Sequence, residues 1–103
     1  MPGYTAAIDA ITTDDEQLSL QLELAANPLK GKLIKRTGGA RKIRMAVRGT
    51  GKSGGARIVY YWQDPLGMIW LFKAYLKKDK PDLSGLEKNE LRIIIRDIKN
   101  GAL

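Results

Sequence analysis

Ten Lys and Arg residues lie between Lys30 and Arg57, and no Asp or Glu occurs from Leu24 to Gln63. A one-signed patch of this density attracts polyanions, because each cation that meets a phosphate releases a condensed counterion. A basic face that serves only solubility normally mixes both signs, and this one does not. The cations with useful spacing are Lys42, Arg44 and Arg48, then Lys52 and Arg57, then Lys77-Lys78 followed by Asp79-Lys80. The chain has neither His nor Cys. Thiol chemistry, thiolate or imidazole metal sites and imidazole acid/base catalysis are therefore excluded, and no metal or cofactor is expected. Any reaction must run on Lys, Arg, Tyr, carboxylates or hydroxyls.

Ala46-Val47-Arg48-Gly49-Thr50-Gly51-Lys52-Ser53 fits a loose phosphate-binding loop in which Ala replaces the first Gly. That mechanism needs the loop to open directly into a helix, whose N-terminus helps hold the phosphates. Gly54-Gly55 and a β-branched run follow instead. The match is read as accidental.

The elements that must position these cations can be read from periodicity. Thr13-Asp14-Asp15-Glu16 is a capping box, followed by Leu18, Leu22 and Ala25 or Ala26 at helical spacing, with Leu20 and Leu24 widening the stripe. Asn27-Pro28 ends that helix. Thr5 to Ile11 fits a short helix or a short strand. After a Leu33-Ile34 connector and a Thr37-Gly38-Gly39 turn, Ile43, Met45 and Val47 alternate with Lys42, Arg44 and Arg48. This pattern predicts a half-buried strand with its cationic face outward. A second strand is expected over Ala56 to Gln63, a turn at Asp64-Pro65-Leu66-Gly67, and a third strand over Met68 to Leu76. Ser84-Gly85-Leu86-Glu87 caps a last helix with Leu91, Ile94, Ile95 and Ile98 on one face, closed by Asn100-Gly101.

These elements make an α+β fold: a three-strand antiparallel meander covered by N-terminal and C-terminal helices, with room for a short fourth strand. Because meander strands reverse direction, Arg57 is expected near the ends of its two neighbours, gathering cations at one edge of the sheet. The 103 residues, 44% apolar and 28% charged, suit one globular domain. The net charge of +7 comes from the middle, since residues 1–29 hold five acids and no Lys or Arg. No apolar run approaches the ~20 residues of a membrane span, and the first residues do not resemble a signal peptide. A cytoplasmic protein is expected. Trp62, Trp70 and Phe72 are expected to pack in the core. Tyr61, which shares the side of Arg57 by alternation, and Tyr75 are the aromatic candidates for facing RNA.

Thr37-Gly38-Gly39-Ala40-Arg41-Lys42-Ile43-Arg44, the run from Gly51 to Tyr61, and Tyr75-Leu76-Lys77-Lys78-Asp79 with Asp82-Leu83 resemble the RelE/HigB toxins, most closely the phage-derived HigB-like branch. The resemblance covers roughly Thr13 to Ile98. It implies a RelE-like fold and a toxin of a toxin–antitoxin pair that enters the ribosomal A site, cuts mRNA there and is neutralised by a cognate antitoxin. The cut is attack of a ribose 2′-OH on the adjacent phosphate. It needs a base, a leaving-group acid and charge stabilisation, all of which crowded cations can supply.

Carried over by position, Lys42 and Arg44 match the family's basic pair on the first meander strand. Arg57 matches the Arg that contacts the scissile phosphate, and Lys77 or Lys78 the basic position after the last strand. Arg41, Arg48 and Lys52 are implied contacts to RNA or ribosome. The late tyrosine of RelE has no counterpart after Tyr75, and the segment before the first helix is several residues short. Which cation is the base stays open, because such groups titrate together. Two rival readings remain: a non-catalytic or gyrase-directed toxin, as in the ParE branch of the superfamily, and a small basic RNA-binding protein.

Overall fold

Both capping boxes form. The Thr13 hydroxyl accepts from Glu16 N while the Glu16 carboxylate accepts from Thr13 N, and Ser84 and Glu87 make the same reciprocal pair. They open two helices, α2 (Asp14–Ala26) and α3 (Gly85–Lys99), in the order α1 (Pro2–Ile11), α2, β1 (Lys32–Leu33), β2 (Arg41–Met45), β3 (Ala56–Gln63), β4 (Met68–Leu76), α3. The computed structural model describes residues 2–47, 55–64, 66–80 and 82–101. Arg48 and Lys52 lie outside the described residues. Gly55 leads into β3 and not into a helix, and the rest of the phosphate-loop match lies mostly outside the described residues.

The sheet is antiparallel, ordered β1-β2-β3-β4. Among the described residues the architecture is three helices and this four-strand sheet, the α+β class expected. The Thr5–Ile11 segment is helical, and the Leu33-Ile34 connector overlaps the two-residue strand β1.

The alternation of Ile43, Met45 and Val47 with cations predicts one apolar face for the helices to cover, but the helices cover both faces of the sheet. Val59 and Tyr61 pack with Leu91, Ile95 and Ile98 of α3. Ile58 and Tyr60, which point the other way by alternation, pack with Ile8 of α1 and Leu20 and Leu24 of α2. All of β3 from Ala56 to Tyr61 is buried. Each large apolar side chain so placed contributes roughly 1.5–3 kcal/mol of transfer free energy. The α2 stripe is also rotated from its expected phase. Leu20 and Leu24 face the core, while Leu18 and Leu22 are 53% and 63% exposed.

A bulge in β4 sets which way its side chains face. Val59 pairs with Lys73 but Tyr60 pairs with Leu71, leaving Phe72 as an extra residue. Trp70 and Phe72 therefore face α3, and so does Tyr75, at an odd spacing that simple alternation would have sent to the opposite face.

Candidate nucleic-acid interface

The α3 side of the sheet is only partly covered. Beyond Val59, toward the start of β3, Arg57 lies opposite Arg44 on β2 and opposite Tyr75 on β4. Lys42 is opposite Val59 and also opposite Lys32 on β1. In an antiparallel sheet, residues directly opposite share a face. Lys32, Lys42, Arg44, Arg57 and Tyr75 therefore look out on one side. The backbone N–H of Lys77 donates to Gly55 O at 3.1 Å, which continues the β3–β4 pairing and brings Lys77 to the same end. Lys32, Lys42, Arg44, Arg57 and Lys77 line a common pocket of about 210 Å³.

These five cations differ in setting. Arg57 is only 5% exposed, and its guanidinium donates to Ala56 O at 3.3 Å. Arg44 and Lys77 are exposed, and Lys42 is half-buried. Lys42 Nζ lies 3.6 Å from Asp82 Oδ1, and Lys88 of α3 lies 3.8 Å from the other oxygen of that carboxylate. The backbone N–H of Leu83 is the main cause that holds the Asp82 carboxyl below its ordinary value. Burial opposes it, and the charges of Lys42 and Lys88 add to it. A low-pKa carboxylate flanked by two lysines stays ionised at neutral pH.

Tyr75 lines a second cavity, of about 270 Å³, with Phe72, Lys73, Lys80 and Glu87 among its neighbours. Its hydroxyl is buried and has no hydrogen-bond partner among the described residues. Burial pushes its pKa up, Asp82 adds to this and Arg57 opposes it. Lys80 Nζ lies 5.9 Å from the ring centroid. The N-terminal Glu87 of α3 has two functions: it completes the capping box and it pairs with Lys80 and with Lys73, the latter at 3.5 Å. Burial alone would raise the Glu87 pKa. The Lys80 and Ser84 hydrogen bonds and the Lys80 charge outweigh it and hold the carboxyl at about 2.

The structure thus brings Lys42, Arg44, Arg57 and Lys77 together, with Tyr75 alongside. Other expected site residues fall elsewhere. Lys78 is exposed and does not line the pocket. Arg41 points to the opposite face, where its guanidinium donates to Leu29 O at 3.1 Å and Gly31 O at 2.7 Å. It anchors the segment entering β1 and does not face the pocket. Tyr61 shares the side of Arg57 but is buried beneath α3, with Lys99 6.0 Å from its ring centroid. It is a core residue. Lys32 escapes sequence reading because a two-residue strand carries no periodic signal; only its register opposite Lys42 reveals it. Asp82 and Glu87 stand out in the sequence as part of a motif and as a cap, with no sign that they reach the cationic face.

Chemically, the pocket can seat a phosphodiester and stabilise negative charge growing on it. Five cations drawn from four strands and their flanks provide the charge before any anion arrives. No protein-family model matches the chain.

Proposed function

We propose that this chain is a ribosome-dependent mRNA endoribonuclease toxin of the RelE/HigB type, neutralised by a cognate antitoxin. The observation that carries this reading is the convergence of Lys42, Arg44, Arg57 and Lys77 in one pocket. The same positions align with the basic sites of those toxins in sequence alone, so proximity and sequence support the reading separately. In the proposed reaction the ribose 2′-oxygen bonds to phosphorus as the bond to the 5′-oxygen breaks, leaving a 2′,3′-cyclic phosphate and a 5′-hydroxyl. One cationic side chain in its neutral form takes the 2′-OH proton, and a second, protonated group returns one to the leaving oxygen. Arg57, fixed at the pocket floor, holds the scissile phosphate. Arg44 and Lys77 neutralise the charge that develops there. Tyr75, kept protonated by burial, is not the base.

The test is induced expression in bacteria with primer extension on a translated reporter mRNA, comparing wild type with Arg44→Ala and Arg57→Lys. Growth arrest with new 5′ ends inside translated codons, lost in both variants, is the expected result. Arrest with intact mRNA would point to gyrase or another target. Growth without arrest would reduce the function to RNA binding.

A further inference from the structure

The sheet pocket does not exhaust the basic surface. On the α3 side, Arg36, Lys88 and Arg92 line a shallow groove of about 620 Å³ together with Gly85 and Asn89. Neither an acid nor a large apolar side chain is among those lining residues. Lys88 and Arg92 stand one turn apart on α3 and Arg36 comes from the facing turn. Arg36 sits in the β1–β2 turn with φ of 68°, a left-handed conformation that non-glycine residues seldom adopt. The buried Thr37 beside it fixes that turn: its hydroxyl donates to Ile34 O at 2.7 Å and accepts from Ala40 N at 3.0 Å. The Arg92 guanidinium donates to Asn89 Oδ1 at 2.9 Å, one turn back on α3. Lys88 is tied to Asp82, whose other oxygen meets Lys42 of the sheet pocket. A single carboxylate therefore separates the two basic sites.

We propose that this groove is a second binding site for the sugar–phosphate backbone of single-stranded RNA, continuous with the sheet pocket. Asp82 repels phosphate at the junction, so that successive phosphates seat on either side of it. An acidic protein partner is less well matched, because protein interfaces need an apolar centre that this groove lacks. The inference rests on reading the sheet pocket as a phosphate site.

The experiment measures fluorescence anisotropy of a short 2′-O-methyl RNA, which cannot be cut through its 2′-oxygen, across a salt series. The groove variant is Lys88→Gln with Arg92→Gln. The control is Lys30→Gln, since Lys30 pairs with Glu23 of α2 and does not line the groove. Arg44→Gln reports on the sheet pocket. For single strands the slope of log affinity against log salt falls by ~0.7 for each phosphate no longer neutralised, so the groove variant is expected to lose about 1.4 and the control far less. Exchanging the cations, Lys88→Arg with Arg92→Lys, should restore the slope if the charge and not the fold is responsible. A groove variant with the wild-type slope, a control that falls equally, or no wild-type binding at low salt would overturn the proposal. If Arg44→Gln alone lowers the slope, the groove is rejected and the pocket stands. If only the groove variant lowers it, the reading of the pocket fails, and with it the proposal of one continuous path through both sites.

Discussion

Arg44 and Arg57 face each other directly across β2 and β3. Like charges in that position destabilise a sheet, by an amount comparable to the roughly 0.2–1 kcal/mol that favourable cross-strand pairs contribute. Two cationic side chains on one face of neighbouring strands are a cost to the fold and a preformed seat for an anion. Arg44→Gln should therefore raise stability by about 0.5 kcal/mol in urea denaturation while abolishing mRNA cleavage. Added sulfate should stabilise the wild type more than the variant, because an anion that binds only the folded state shifts the equilibrium by mass action. Equal sulfate responses would remove the pocket's claim to anion binding.

Truncating Arg57 is a different matter. On sequence grounds Arg57→Ala is expected to cost little stability, but the side chain is almost fully buried. Removing its buried stem leaves a void, so Arg57→Ala should lose roughly 1–3 kcal/mol, and Arg57→Lys clearly less. Denaturant midpoints of the two variants, read beside their toxicity, separate impaired phosphate binding from a weakened fold.

Acid should weaken the protein through Glu87. Its folded pKa of about 2 lies below the ordinary 4.5, so its contribution is complete above pH 4.5 and disappears as pH falls toward 2. After discounting for solvent screening the loss is on the order of 2 kcal/mol. Glu87→Gln should flatten the acid limb of stability against pH between those values. At the alkaline end the sign reverses. Burial pushes Tyr4 up to about 12 from 10.0, so stability should persist below pH 10 and fall as pH approaches 12; Tyr4→Phe should shrink this limb, and the buried Tyr60 and Tyr75 should keep part of it. A pH profile by chemical denaturation checks both limbs.

The leucines of α2 should divide cleanly. Leu20→Ala and Leu24→Ala should each cost about 2–5 kcal/mol, as buried large-to-small changes do. Leu18→Ala and Leu22→Ala should stay within ~0.5 kcal/mol of wild type. Thermal melts of the four variants would show whether the helix is seated as described.

That division also shows where sequence reading succeeds and where it stops. Leu18, Leu20, Leu22 and Leu24 supply two i, i+4 pairs of equal hydrophobicity, so periodicity establishes the helix without choosing its phase. The bounds of β3 and β4 are legible, because glycines and Asp64-Pro65-Leu66-Gly67 bracket runs of β-branched and aromatic residues. The burial of both faces of β3 has a signal: Ile58-Val59-Tyr60-Tyr61 does not alternate, as expected of a strand covered on both sides. Most of the cationic site is legible because Lys42 and Arg44 alternate with Ile43 and Met45. Lys32 and the approach of Asp82 depend on tertiary register and leave no local trace. Tyr75 reaches the expected face only because Phe72 is inserted in β4, which no spacing rule anticipates. Arg41 and Tyr61 lie away from the pocket because tertiary contacts hold them elsewhere.

β3 is a party wall. The core beneath α3 and the core beneath α1 and α2 touch different sides of the same strand, so neither can dissolve while the other keeps that strand in place. Opening either half must break the wall for both, which binds the chain into one cooperative unit. Amide hydrogens of Ile58 to Tyr61 should exchange only through global unfolding, at a rate that follows denaturant stability. The ends of α1 and α3 should exchange faster, through local fraying.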